Sequence, residues 1–160
     1  MADLKVGEKA PDFRLKADDG REVTLADQRG KYAVLYFFPK ALTPGCTTEA
    51  SEFRDAKPKF DKLNAVVLGC SADPVENQAK FKAKFKLNFP LLSDPDFKVI
   101  EAYGARRMKS FLGKSFLGIV RSTVVIDPDG RIARTWPAAK AKGHATEVVA
   151  AIAEMEKQGK

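Results

Sequence analysis

At 160 residues, with 44% hydrophobic and 31% charged side chains, the chain can fill one core and is too apolar to be a disordered segment. Its formal net charge of +7 is scattered rather than gathered into a bare stripe, which reads as a solvated surface and not as a nucleic-acid face. No apolar run is long enough to cross a bilayer, and Met1 to Lys5 lacks the apolar centre of a secretory signal, so the expectation is a cytoplasmic protein without a membrane partner.

Taken in order, Val6 to Leu25 reads as a hairpin. Phe13 to Lys16 alternates, Asp18-Asp19-Gly20 is a turn signal, and Glu22 to Leu25 alternates again. Tyr32 to Phe38 is almost wholly apolar, the pattern of a strand covered on both faces. A helix is predicted from about Thr47 to Leu63, with Phe53, Phe60 and Leu63 inward and a kink or break at Pro58. Ala65 to Cys70 is a second buried strand. Asp73 as N-cap and Pro74 at the first helical position then open a helix running to about Lys86.

Phe89 to Ser93 reads as a short strand. Asp94-Pro95 repeats the cap signature before a short helix that ends at Gly104. The basic, glycine-dotted stretch from Ala105 to Gly118 shows no clear period and reads as a surface loop. Ser122 to Ile126, the turn Asp127 to Gly130 and Arg131 to Trp136 form a hairpin. A final helix spans about Ala145 to Glu156, with Val148, Ile152 and Met155 inward. Strands alternating with helices and closing on a hairpin describe an α/β sandwich with a mixed sheet, one domain over residues 1–160 with an N-terminal β-hairpin.

The chemistry concentrates in Pro39-Lys40-Ala41-Leu42-Thr43-Pro44-Gly45-Cys46. Thr-Pro-Gly ahead of Cys46 is loop chemistry, and a polar helix start follows. A thiol at a helix N-terminus meets unpaired N–H groups that favour the thiolate, its nucleophilic form. Two well-separated cysteines in a cytosolic chain are held reduced rather than used as a staple. One histidine, His144, and two separated cysteines make a poor zinc set. His144 fits a helix N-terminus better, and Trp136 reads as a packing aromatic.

Pro39-x-x-x-Thr43-x-x-Cys46 resembles the active-site signature of the peroxiredoxins. The longer string from Tyr36 to Thr47 is similar to the bacterioferritin comigratory, or Q-type, subfamily. Further matching pieces follow in order: Gly7-x-x-Ala10-Pro11-Asp12-Phe13, Leu68-Gly69-x-Ser71-x-Asp73, Leu92-Ser93-Asp94, Gly118-Ile119-x-Arg121-Ser122-Thr123 and Gly143-His144-Ala145.

The resemblance implies a thioredoxin-like fold and a peroxidase that needs no metal, haem or flavin. It makes Cys46 the peroxidatic nucleophile. Thr43 would hydrogen-bond thiolate and peroxide, Pro39 would shield the sulfur, and Arg121 would supply the fixed positive charge, with Glu49 orienting Arg121. It also implies hydrogen peroxide or organic hydroperoxides as substrate, thioredoxin, glutaredoxin or a small thiol as reductant, and a monomer.

Many members carry a resolving cysteine five residues after the peroxidatic one, where this chain has Ser51. Others carry it on the next helix, and Val75 to Lys86 has none. Cys70, at the end of a predicted buried strand, is either a packing residue or an unusual resolving thiol. The favoured reading is a one-cysteine enzyme reduced by an external thiol. The alternatives are a Cys46–Cys70 cycle and a peroxide sensor without turnover. A thiol–disulfide oxidoreductase is disfavoured because no Cys-x-x-Cys is present.

Overall fold

The computed structural model describes residues 1 and 3–159. The expected N-terminal hairpin is β1 (Arg14–Ala17) and β2 (Glu22–Thr24), followed by a single 3-10 turn at Ala26–Gln28. β3 (Tyr32–Phe37) is buried at every position, as its apolar run requires. The helical segment after it begins earlier than Thr47 and is broken in two, α1 (Pro44–Asp55) and α2 (Lys57–Lys62). Pro44 suits the first helical position, and Pro58 in the first turn of α2 accounts for the break.

β4 (Ala65–Ser71), α3 (Val75–Phe85), β5 (Leu91–Ser93) and α4 (Lys98–Ala102) follow. The expected capping of α3 is corrected here. Pro74, not Asp73, occupies the N-cap position, with no side-chain cap bond. The Asp73 carboxylate instead accepts the Ala41 N–H at 2.8 Å and the Ser71 hydroxyl at 2.6 Å. The cap signature at Asp94-Pro95 is corrected likewise: Phe97 occupies the N-cap position of α4, and Asp94, four residues before the helix, accepts the Ile100 N–H of its first turn at 2.8 Å.

The stretch read as a surface loop is instead an antiparallel ribbon, β6 (Arg106–Phe111) and β7 (Lys114–Ile119). Its turn residues Leu112 and Gly113 both have positive φ, 52° and 79°. That is the two-residue hairpin geometry, but leucine is not a turn signal, so the pattern hid it. β8 (Ser122–Ile126), β9 (Ile132–Trp136) and α5 (His144–Gln158) complete the chain.

Seven strands form one mixed sheet in the order β2-β1-β5-β4-β3-β8-β9, and β6-β7 stand apart. β3, β4 and β5 are parallel, while β8 runs antiparallel to β3. This order places the start of β8 beside the end of β3, with Phe37 opposite Ser122.

Because successive residues of a strand point to opposite faces, β3 divides the core. Tyr32, Val34, Tyr36 and Phe38 join Phe53 of α1, Phe60 of α2, Phe81 of α3 and Val148 and Ile152 of α5. Ala33, Leu35 and Phe37 join Phe13, Ile100 of α4 and Tyr103 on the other face. Met155 packs at the edge of the first layer, so the inward face predicted for the last helix holds. Among the described residues, no helix is long and apolar enough to cross a membrane.

Candidate active site

β3 delivers the chain to Pro39 at the sheet edge, and the loop to Thr43 turns it into α1. Phe38 donates its N–H to the Cys70 carbonyl at 3.0 Å, and Asp73 holds the Ala41 N–H. The loop is therefore fastened to the end of β4 at two points. Pro39 is half-buried at its start.

Thr43 is the N-cap of α1 by backbone conformation but makes no side-chain cap bond. Its hydroxyl donates to the Lys40 carbonyl at 2.7 Å, so the proton goes to the loop and not to the Cys46 sulfur, while lone pairs remain to accept. Pro44 has no N–H, so Gly45 and Cys46 carry the first amides of the helix, without intrahelical acceptors or a cap. Cys46 thus lies in the first turn of α1, at the positive end of its dipole. It is 1% exposed and belongs to the Tyr36–Phe53 core layer.

Arg121 enters from the residue before β8 and is the charge nearest the sulfur. Its Nη2 donates to Cys46 Sγ at 3.6 Å and its Nη1 to Glu49 Oε1 at 2.7 Å. Burial works against the guanidinium's charge, but Glu49 and Cys46 outweigh it and raise the pKa. The Arg121 carbonyl also accepts the Ala139 N–H at 2.8 Å, which fixes the backbone beneath the side chain.

Glu49 is 1% exposed, and its Oε2 has no hydrogen-bond partner. Burial pushes its carboxyl up from 4.5 to about 7, against the pull of Arg121. The carboxyl of the pair therefore titrates near neutrality, while Arg121 stays charged.

Cys70 is placed differently. It is fully buried in the other core layer, with Leu35, Phe37 and Leu92. Burial, and then the charge of Asp94, raise its thiol pKa well above 9.0. Cys46 and Cys70 are both free thiols, and the sheet lies between them.

Three supporting residues escaped the sequence reading. A side chain at Gly45 would meet Arg121 Nη2 at 3.0 Å, so glycine opens the path of the guanidinium to the sulfur. Tyr36 stacks on Phe53 at 4.6 Å between ring centres, and a side chain at Gly69 would strike its ring and hydroxyl at 3.0 Å. Asp73 was noticed only as a cap. Gly45, inside the Thr-Pro-Gly-Cys string, was visible but had no stated reason until Arg121 was seen to cross it.

His144 is the first residue of α5, as expected of a helix N-terminal residue, and is fully buried. Its Nε2 shares a hydrogen bond of 2.7 Å with the Thr123 hydroxyl, and burial lowers its pKa, which keeps the ring neutral. Trp136 packs edge-on against it at 5.3 Å.

The AhpC/TSA family model matches this chain over residues 6–135. The chain belongs to the AhpC/TSA family. Within it, the chain is a peroxiredoxin of the Bcp, or Q, type. It is 45% identical to peroxiredoxin Bcp of Bacillus subtilis over 155 residues, covering 97% of this chain and 99% of that protein. It is 43% identical to peroxiredoxin Bcp of Escherichia coli over 144 residues, covering 90% and 92%.

Among solved structures, the bacterioferritin comigratory protein of Xanthomonas campestris superposes with a TM-score of 0.88 at 37% identity, covering 94% of this chain and 99% of that one. That structure was described for its alkyl peroxide reduction activity. The thioredoxin-like peroxiredoxin fold, a mixed sheet flanked by helices, is thus the fold of this chain, and the chain is an enzyme of the peroxidase class.

Proposed function

We propose that this peroxiredoxin reduces hydrogen peroxide and organic hydroperoxides through Cys46 as a one-cysteine enzyme. The observation that carries the reading is the 3.6 Å contact of Arg121 with the Cys46 sulfur, held from behind by Glu49. The guanidinium and the uncapped amides of α1 stabilise the thiolate. The thiolate attacks one oxygen of the peroxide, an S–O bond forms, and the O–O bond breaks. The leaving hydroxide or alkoxide develops its charge beside Arg121 and takes up a proton, leaving Cys46 as sulfenic acid. Thr43, with its own proton committed to Lys40, accepts the hydrogen of the incoming peroxide. Pro39 closes the sulfur from water, and Glu49 positions Arg121.

Return to the thiolate requires an outside thiol. It condenses with the sulfenic acid to a mixed disulfide and water, and a second thiol displaces Cys46 from that disulfide. Cys70 is not suited to the first of these steps. It faces the opposite core layer, and a disulfide needs Cα atoms within roughly 7 Å and converging side chains. Its burial also opposes thiolate formation. Thioredoxin, glutaredoxin or a small thiol in the cytoplasm fills the reductant role. The single domain of residues 1–160 works as a monomer.

Two measurements test the reading. Reduced protein treated with one equivalent of peroxide gains one oxygen at Cys46, seen as a dimedone adduct by mass spectrometry; loss of two hydrogens and a Cys46–Cys70 linked peptide would replace it with the two-cysteine cycle. Peroxide consumption with thioredoxin and its reductase proceeds over many turnovers. A single turnover followed by arrest with every thiol reductant would make the protein a sensor.

A further inference from the structure

The β6–β7 ribbon is the part of the described structure that the reaction leaves unused. It forms a sheet only with itself. Five of the seven exposed large apolar side chains lie in it: Met108, Phe111, Leu112, Phe116 and Leu117. Leu112, at its tip, is 86% exposed and sits at φ 52°. The left-handed conformation disfavours a branched apolar residue, and water disfavours its side chain. Leucine therefore loses on both counts where Asn or Gly would lose on neither, and nothing in the fold compensates.

The register decides what kind of surface this is. Met108 stands opposite Leu117 on one face, while Phe111 and Phe116 stand opposite Lys114 and Lys109 on the other. Both faces and the tip are thus apolar. A rigid protein partner covers one face of such a ribbon, whereas a lipid interface surrounds the tip from all sides.

The charges agree. From Ala102 to Ile126 there is no acidic residue and there are five basic ones. Arg106 is paired with Glu101 and Arg121 with Glu49. Arg107 and Lys109 donate to carbonyl oxygens, of Pro137 and Ile119, and keep their charge uncompensated by an acid. Their side chains hold these charges at the base of the ribbon, and Lys114, opposite Phe111, is the positive charge beside the apolar tip.

We propose that this ribbon is an interfacial anchor for an anionic lipid surface. Phe111 and Leu112 enter the boundary between headgroups and acyl chains, Lys114 meets a lipid phosphate, and the charges of Arg107 and Lys109 at the base add a longer-range attraction to an anionic surface. The ribbon's free edges keep their N–H and C=O groups in need of water, so insertion is shallow and the protein lies on the membrane without crossing it. Lys109 Nζ bonds the Ile119 carbonyl at 2.8 Å, two residues before Arg121. Docking through the tip therefore holds the Cys46 site one ribbon length, roughly 20 Å, from the lipid surface.

Flotation of the full chain with vesicles tests this, independently of any peroxide chemistry. The protein is expected to float with phosphatidylcholine vesicles containing phosphatidylglycerol, and much less with phosphatidylcholine alone. The double variant Phe111→Ser with Leu112→Asn suits the left-handed turn and so keeps the ribbon folded. It is expected to lose binding by about tenfold or more, with hydrogen peroxide turnover in solution unchanged. Lys114→Glu weakens binding by about fivefold or more at low salt. Equal flotation of wild type and double variant, or none of the wild type with anionic vesicles, overturns the proposal. So does a concentration-dependent dimer that the double variant dissolves, which would assign the tip to a protein contact.

Discussion

Cys46 and Cys70 are both almost without solvent exposure, and both belong to the junction where β3 and β4 end. Their surroundings separate them. Cys46 has a helix N-terminus and a guanidinium at 3.6 Å. Cys70 has aromatic and aliphatic neighbours and the carboxylate of Asp94. Burial by itself raises the free energy of a thiolate, as it does for Cys70. What makes a buried thiol useful is a fixed positive field delivered into the same low-dielectric space. The sheet enforces the division: one face receives Arg121 from the residue before β8, and the other surrounds its thiol with packing groups and the negative charge of Asp94.

The sharpest way to break this contrast is to remove each sulfur in turn. Cys46→Ser is expected to lower peroxide turnover by more than about a thousandfold. Cys70→Ala is expected to leave turnover within about twofold while costing roughly 1 kcal/mol of stability for the lost core volume. A steady-state assay with thioredoxin and a urea melt read both. Comparable losses of turnover in the two variants would unite the thiols in one cycle.

The next effect belongs to the field. Arg121→Met keeps the stem and deletes the charge. The second-order rate with peroxide is expected to fall by about a hundredfold or more, because the donor to the developing negative charge is gone. Alkylation of Cys46 by iodoacetamide should slow in the same variant. Alkylation of Cys70, followed at a urea concentration that opens the core, should not change. Unaltered Cys46 alkylation would mean that the helix terminus alone supports the thiolate.

Glu49 sets the pH behaviour. Its folded pKa of about 7 lies above the ordinary 4.5, so the folded protein binds the extra proton between those values. Its contribution is best for stability below about 4.5 and is lost as pH rises through about 7, by up to a few kcal/mol. The ion pair with Arg121 needs the opposite state, the carboxylate. Stability and peroxide rate are therefore expected to move in opposite directions between pH 5 and pH 8, the rate rising by roughly five- to tenfold. Glu49→Gln should flatten both profiles. A stability curve that keeps its slope in Glu49→Gln would assign the titration to another group.

Much of this was open to reading from the chain. The alternation of apolar runs with cap and turn signals placed the seven strands of the main sheet and four helices, the first of which the structure breaks in two near Pro58, because each element carries its own periodicity. Cys46 and Arg121, 75 residues apart, were joined by motif order rather than by any physics visible in sequence. The structure supplies the reason, which is the antiparallel pairing of β3 with β8. What stayed hidden depended on which direction a side chain points. The Gly45 requirement appears only when Arg121 crosses it. The β6–β7 ribbon was masked because its turn is made by a leucine in a conformation that leucine rarely adopts. Asp73 was misassigned because Asp-Pro is a strong local signal, and the tertiary demand of the loop overrode it.

That last residue gives the smallest and most local test. Its carboxylate takes the Ala41 N–H and the Ser71 hydroxyl, and Ser71 also accepts from Gln78 Nε2 at 2.8 Å. The loop carrying Pro39 and Thr43 is thereby tied to β4 and α3 through a buried polar chain. Asp73→Ala leaves the Ala41 amide buried without an acceptor, expected to cost about 1–3 kcal/mol in a urea melt. Because the Phe38–Cys70 backbone bond still anchors the start of the loop, the peroxide rate is expected to drop only about threefold. Hydrogen exchange should show the loss of protection confined to residues 39–43 and the start of α1. Protection lost instead across α3 would make Asp73 a part of that helix's start after all, and the cap reading would return.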